Sequence, residues 1–140
     1  MSMPDWVRKL LTGESSAPIL ELLGITPRLI EPGHAVFEMA VDARHHNPLG
    51  TLHGGIYCDL ADVAMGIAYA ASLPDGDTFT TLELKANYLR AVRQGRLTAE
   101  ARVVKGGRTV GYVECDVRDE AGELVARVAS TCLRLQRRPA

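Results

Sequence analysis

The chain has 140 residues, 46% of them hydrophobic, with a formal net charge of −1 and a pI near 6.4. That length and apolar content suit a single filled core and exclude a disordered composition, while the near-balanced charge gives no electrostatic case for nucleic-acid or membrane binding by the whole molecule. Its three cysteines, Cys58, Cys115 and Cys132, form no C-x-x-C pair and read as free thiols of a reducing compartment.

The first residues, Met1 to Leu11, contain no long apolar stretch of the signal-peptide kind, so the expectation is a cytoplasmic protein. Residues 4–12 and 17–23 read as short helices, a lead-in over 1–23 to one domain spanning 1–140. Gly24, Pro27, Pro32 and Gly33 then punctuate the approach to a first strand, in which Ala35, Phe37, Met39 and Val41 alternate with His34, Val36, Glu38 and Ala40. A loop over 42–52 leads to a central helix that begins at or just before His53-Gly54-Gly55 and is ended by Pro74-Asp75-Gly76. Its longest apolar stretch, Ile56 to Ala71, is too short to span a bilayer.

Downstream the period changes to two. Leu82, Leu84, Ala86 and Tyr88 face away from Thr81, Glu83, Lys85 and Asn87; Leu97, Ala99, Ala101 and Val103 face away from Arg96, Thr98, Glu100 and Arg102. Two more strands, near 109–118 and 124–135, follow through connections short enough to make successive strands antiparallel neighbours. Four or five antiparallel strands and one long apolar helix predict an α+β fold in which a curved sheet wraps the helix.

Between Gly54 and Ala71 there is no Lys, Arg or Glu, so this helix reads as buried nearly all round, yet it carries Asp59 and Asp62. A carboxylate buried without a partner costs several kcal/mol, which makes Asp62 a candidate for chemistry; Asp59 reads as a lesser partner tied to a backbone group or a cation. At the helix start, the first N–H groups lack intrahelical partners and the dipole end is positive. Gly54 there lets a carbonyl approach, as in an oxyanion hole, and Asn47 could fold back over the same point. Structural readings stand beside these: close packing for Gly54 and Gly55, a helix-start role for His53 bonded to a backbone carbonyl, and a simple turn at Asn47-Pro48. The rise from Gly54 to Asp62 is about 12 Å, too long for both to act on one carbonyl and its attacking water. A two-fold dimer with antiparallel helices would bring Gly54 of one subunit to Asp62 of the other.

The motif Asn47-x5-His53-Gly54-Gly55-x6-Asp62, together with Thr81-Leu82-Glu83-Leu84-Lys85-Ala86-Asn87-Tyr88-Leu89-Arg90, resembles the hotdog-fold acyl-CoA thioesterases of the phenylacetic-acid-degradation type, from about Gly24 to Leu135. The resemblance implies a sheet wrapped around the central helix, homodimers with shared active sites commonly paired into homotetramers, and hydrolysis of an acyl-CoA to an acid and free CoA, with CoA as part of the substrate and no separate cofactor or metal. It implies that Gly54 polarises the thioester carbonyl, that Asn47 helps hold it, and that His53 sits near the departing sulfur. Asp62 matches the general base or nucleophile. Thr81, or Thr80 beside it, orients the water. Where the family often has a proline after the Leu-Arg pair, this chain has Ala91.

For the substrate and its CoA end we single out Gly55, Tyr88, Leu89, Arg90, Gly107 and Arg108. Cations cluster between Lys85 and Arg108, which suits a polyanionic ligand, although solvated strand faces exchanging ion pairs account equally for most of them. Competing functions are a hydrolase using Cys58 as acylated nucleophile, a hydratase or dehydratase of the same fold, and a non-catalytic acyl-CoA or aryl-ligand binder. His34, His45, His46 and His53 lack metal-ligand spacing. Met65, Tyr57, Tyr69 and Tyr88 serve equally as pocket or core, so the acyl group stays unnamed at this level.

Overall fold

The structure, a computed structural model, describes residues 3–137. Helices α1 (Asp5–Thr12) and α2 (Pro18–Leu23) are stopped by Gly13 and Gly24, both in the left-handed backbone region. Strands β1 (Ile25–Glu31) and β2 (His34–Val41) form a hairpin, a single turn of 3-10 helix covers Ala43–His45, and α3 runs over Gly54–Ala71. Strands β3 (Thr78–Tyr88), β4 (Gly95–Gly106), β5 (Val110–Arg118) and β6 (Leu124–Leu135) complete the chain. All pair antiparallel in one six-stranded sheet of order β1-β2-β4-β5-β6-β3, with α3 packed across its inner face.

The alternation in β2 and β4 is as expected: Ala35, Phe37, Met39, Leu97, Ala99 and Ala101 are buried against α3, and their neighbours point outward. Gly111 in β5 leaves room for Tyr69 of α3, since a Cβ there would run into the Tyr69 ring. In α3 every residue from Ala64 to Ala71 is buried, whereas Gly55, Ile56, Cys58, Asp59, Asp62 and Val63 keep part of their surface open. The expectation of a helix buried nearly all round thus holds only for its C-terminal half.

Two further expectations are corrected. Residues 25–31, taken from Pro27 as a punctuated approach, are a full strand. It lies at the sheet edge, where a residue without an N–H is tolerated, and its register slips between Pro27 and Leu29. In β3 the register also shifts between Thr81 and Glu83, so that Phe79, Thr81, Leu84 and Ala86 face inward and Leu82, 58% exposed, points out. An extra residue in one strand reverses the facing of everything beyond it. The bulge therefore turns Thr81 towards α3, the face opposite to that predicted by unbroken alternation.

Candidate active site

Asp62 is half-buried on α3, and Thr81 Oγ1 donates to its Oδ1 at 3.1 Å. No cation lies within ion-pair distance of Asp62 among the described residues. Burial pushes its carboxyl above the usual carboxylate value, and the Thr81 hydroxyl partly offsets that by bonding the charged form. Thr80 is exposed on the other face, so Thr81 is the threonine at this carboxylate. Asp59 is also raised, first by burial and then by the nearby Asp62, with His53 acting in the opposite sense. The backbone or cation partner expected for Asp59 is absent among the described residues.

At the start of α3, His53 is the N-cap, and the Gly55 N–H donates to its Nδ1 at 3.0 Å. The expected carbonyl partner for the ring is thus replaced by a backbone donor, which orients the imidazole and uses up the second amide of the helix. The Gly54 N–H has no acceptor among the described residues. Gly54 also has a packing reason to be glycine, because a Cβ would meet the Tyr88 ring at 3.1 Å. The Tyr88 hydroxyl donates to the Gly54 carbonyl at 3.0 Å and lies 3.3 Å from Cys58 Sγ. That thiol and partial burial push the phenol up to about 12, so it remains a donor at neutral pH.

Asn47 is used by its own loop: its Oδ1 accepts from the Leu49 and Thr51 N–H groups at 2.9 and 3.2 Å, and its Nδ2 donates to Thr51 Oγ1 at 2.9 Å. The turn reading is therefore correct for its oxygen, while one amide hydrogen is left over. The loop is pinned against 90–93, with Leu52 N–H donating to Val92 O at 2.7 Å and His46 Nε2 2.6 Å from Arg93 O. His45 is buried, its Nε2 2.9 Å from Leu23 O, and ties this loop to the end of α2.

Two concavities flank these groups. A groove of about 410 Å³ brings Gly54 together with Tyr57, Tyr88, Leu89 and Arg90. A second cleft of about 210 Å³ holds Asp62 among apolar side chains, and the two share no lining residue. Gly107 and Arg108 are elsewhere, at the β4–β5 turn. Gly107 is held by its N–H to Val110 O at 2.8 Å, and Arg108 lines a separate depression with Thr109 and Arg134. Among the clustered cations, Arg96 and Arg102 are paired with Glu38 and Glu100, at 2.9 and 2.6 Å, and belong to the strand faces. Sequence reasoning missed Trp6, Leu10 and Phe79, which border the Asp62 cleft; for Phe79 the Phe79-x-Thr81 period was the available signal, two residues before the region taken as the strand.

A family model, the thioesterase superfamily, matches residues 49–126. The chain belongs to that superfamily. The chain is 35% identical over 121 residues to the proofreading thioesterase EntH of Klebsiella pneumoniae, covering 84% of this chain and 88% of that one. Two solved structures share the fold: a thioesterase of Haemophilus influenzae, with TM-score 0.84, 30% identity and 93% and 90% of the two chains covered, and a phenylacetic acid degradation-related protein of Ralstonia eutropha, with TM-score 0.84, 28% identity and 92% and 99% covered. The curved antiparallel sheet around α3 is the hotdog fold, and the chain is a thioester hydrolase of this superfamily.

Proposed function

We propose that this thioesterase hydrolyses acyl-CoA esters at a site made from two subunits, with Asp62 as general base and the Gly54 N–H as oxyanion donor. The observation that carries the reading is the Asp62–Thr81 pair: a half-buried carboxylate on a core helix, without a cation, bonded by a hydroxyl from the facing strand. Asp62 takes a proton from water as the oxygen attacks the thioester carbon. The Gly54 N–H, at the positive end of α3, bonds the oxyanion of the tetrahedral intermediate. Collapse breaks the C–S bond, and the departing CoA thiolate receives the proton held by Asp62. Thr81 holds the carboxylate in place, and Asn47 shapes the loop that carries Gly54. His53 fixes the first turn through Gly55 and stands on the side where the sulfur leaves. The separate groove and cleft within one protomer support assembly across a two-fold axis, as does the free edge of β3 with Leu82 and Tyr88 exposed beside it. Paired dimers would make a tetramer.

Arg90, 59% exposed on the rim of the Gly54 groove and paired with Glu123 only at 4.0 Å, is the cation placed to meet the CoA phosphates there. Arg108 would reach the same CoA only from another protomer. Cys58 has a tyrosine hydroxyl and no base beside it, which does not support the acyl-cysteine route. Thiol release from a panel of acyl-CoAs tests the activity, with Asp62→Asn as the inactive and Cys58→Ala as the active comparison. Saturable binding without turnover by the wild-type chain would favour a binding protein instead.

A further inference from the structure

Each glycine of His53-Gly54-Gly55 makes room for an aromatic ring. A Cβ on Gly54 would meet the Tyr88 phenol at 3.1 Å, and one on Gly55 would meet Nδ1 of the His53 imidazole at 3.2 Å. The two rings are joined by the peptide between the glycines. The Tyr88 hydroxyl donates to its oxygen, Gly54 O, at 3.0 Å, and its N–H, that of Gly55, donates to His53 Nδ1 at 3.0 Å. Tyr88 is 53% exposed, yet its ring is held: it is tilted at 60° against the buried Tyr57, with centroids 5.4 Å apart, and the Tyr57 hydroxyl donates to Arg90 O at 3.2 Å.

Every bond in this chain runs one way. The phenol keeps its proton at neutral pH and gives it to Gly54 O, so towards Cys58 its oxygen only accepts, and a thiol is too weak a donor for the chain to depend on it. A backbone N–H can only donate, so Nδ1 of His53 is the bare nitrogen and the proton of the neutral ring sits on Nε2. Nε2 lies on the far side of an exposed ring and has no partner among the described residues. A donor on a peptide oxygen polarises that peptide and strengthens its N–H, by about 10–30% per bond in such chains.

We propose that Tyr88 is a positioning residue that acts on the reaction through His53: by way of the Gly54–Gly55 peptide it holds the imidazole with Nδ1 accepting and Nε2–H turned outward. The inference rests on the thioesterase reading, in which His53 stands where the sulfur leaves. There the ring is a neutral hydrogen-bond donor to the sulfur as the C–S bond breaks. It neither takes nor gives up a proton, and the thiolate is protonated from Asp62 as before.

The test is a double-mutant cycle on two leaving groups. The acyl group turned over fastest in the acyl-CoA panel is offered as its CoA ester and as its S-phenyl thioester, whose more acidic thiol leaves with less help. His53→Asn keeps an oxygen to accept from the Gly55 N–H, as asparagine does at helix starts, and removes the outward donor. It should melt like wild type and lose about a hundredfold in kcat on the CoA ester, but less than about tenfold on the S-phenyl ester. Tyr88→Phe keeps the ring and should lose about fivefold, again mainly on the CoA ester, and the double variant should be no slower than His53→Asn. Losses that add, or that fall equally on both esters, mean that Tyr88 does not act through His53 at the sulfur and overturn the proposal. Nitrogen NMR of isotope-labelled protein gives a readout independent of turnover. His53 should show a bare Nδ1 and a protonated Nε2, and the Gly55 amide proton should move upfield in Tyr88→Phe as its bond weakens; a protonated Nδ1 or an unmoved Gly55 amide also overturns the proposal. No thiol release from any ester, with these resonances as expected, defeats the hydrolase reading alone.

Discussion

A carboxylate that is costly to bury is retained at Asp62, and its cost and use can be measured separately. Asp62→Asn keeps the shape and removes the charge, so kcat should fall by at least about a hundredfold while the fold survives. Near-normal kcat would remove Asp62 from the mechanism, and Cys58→Ala should stay active. The same change should raise the melting temperature. Burial raises the folded-state pKa of Asp62 above its ordinary value of 3.8, so the carboxyl costs stability once the pH rises through that ordinary value, whereas below it the group is protonated in both states and costs little. Asn should thus add roughly 2–4 °C near neutrality, with the gain vanishing in acid; thermal melts across pH check this. Thr81→Val removes the bond that holds the carboxylate pKa down. The acid limb of the kcat/KM profile should move to higher pH, and kcat/KM at neutral pH should fall by about tenfold; an unmoved limb would mean that Thr81 does not tune the base.

At the level of elements, α3 sits close to the sheet because β5 is thin where Tyr69 crosses it. Gly111→Ala would drive a methyl into that ring, and a loss of about 1–3 kcal/mol in denaturant unfolding is expected; an unchanged midpoint would show that the helix can lift without cost. The helix and the strands of strong alternation were legible in the sequence because burial there follows one period without interruption, as in Ala35 to Val41 and Leu97 to Ala101. What escaped it had physical causes. Pro27 hides an edge strand, since the edge tolerates what an interior strand would not. One extra residue at Leu82 reverses the facing of β3, and alternation read through a bulge puts Thr81 on the wrong side. The candidate site was legible as a set of residue types, since Asp62 on an apolar helix is conspicuous in any register. The employment of Asn47 within its own turn and the covering of Gly54 by Tyr88 depend on side-chain contacts that spacing does not contain, and the Trp6 wall joins segments more than fifty residues apart.

On the proposed mechanism, the whole molecule must reconcile a base at Asp62 and an oxyanion donor at Gly54 that lie in different concavities. Within one helix the rise of about 12 Å between Gly54 and Asp62 separates them, and in the protomer the groove at one and the cleft at the other share no residue. The proposed two-fold partner, with its α3 antiparallel, would remove the conflict by lending its carboxylate to the other chain's helix start. The most direct measurement is complementation between Asp62→Asn and Asn47→Ala, whose defects fall on opposite contributions whether Asn47 touches the substrate or only holds the Gly54 loop. Each homodimer should be weak. Unfolded, mixed and refolded together, random pairing makes half the dimers mixed, each with one doubly defective and one intact site, so activity should recover to about a quarter of wild type. Activity no higher than the mean of the two mutants, in a mixture shown by native mass spectrometry to contain the mixed dimer, would contradict a site shared between subunits.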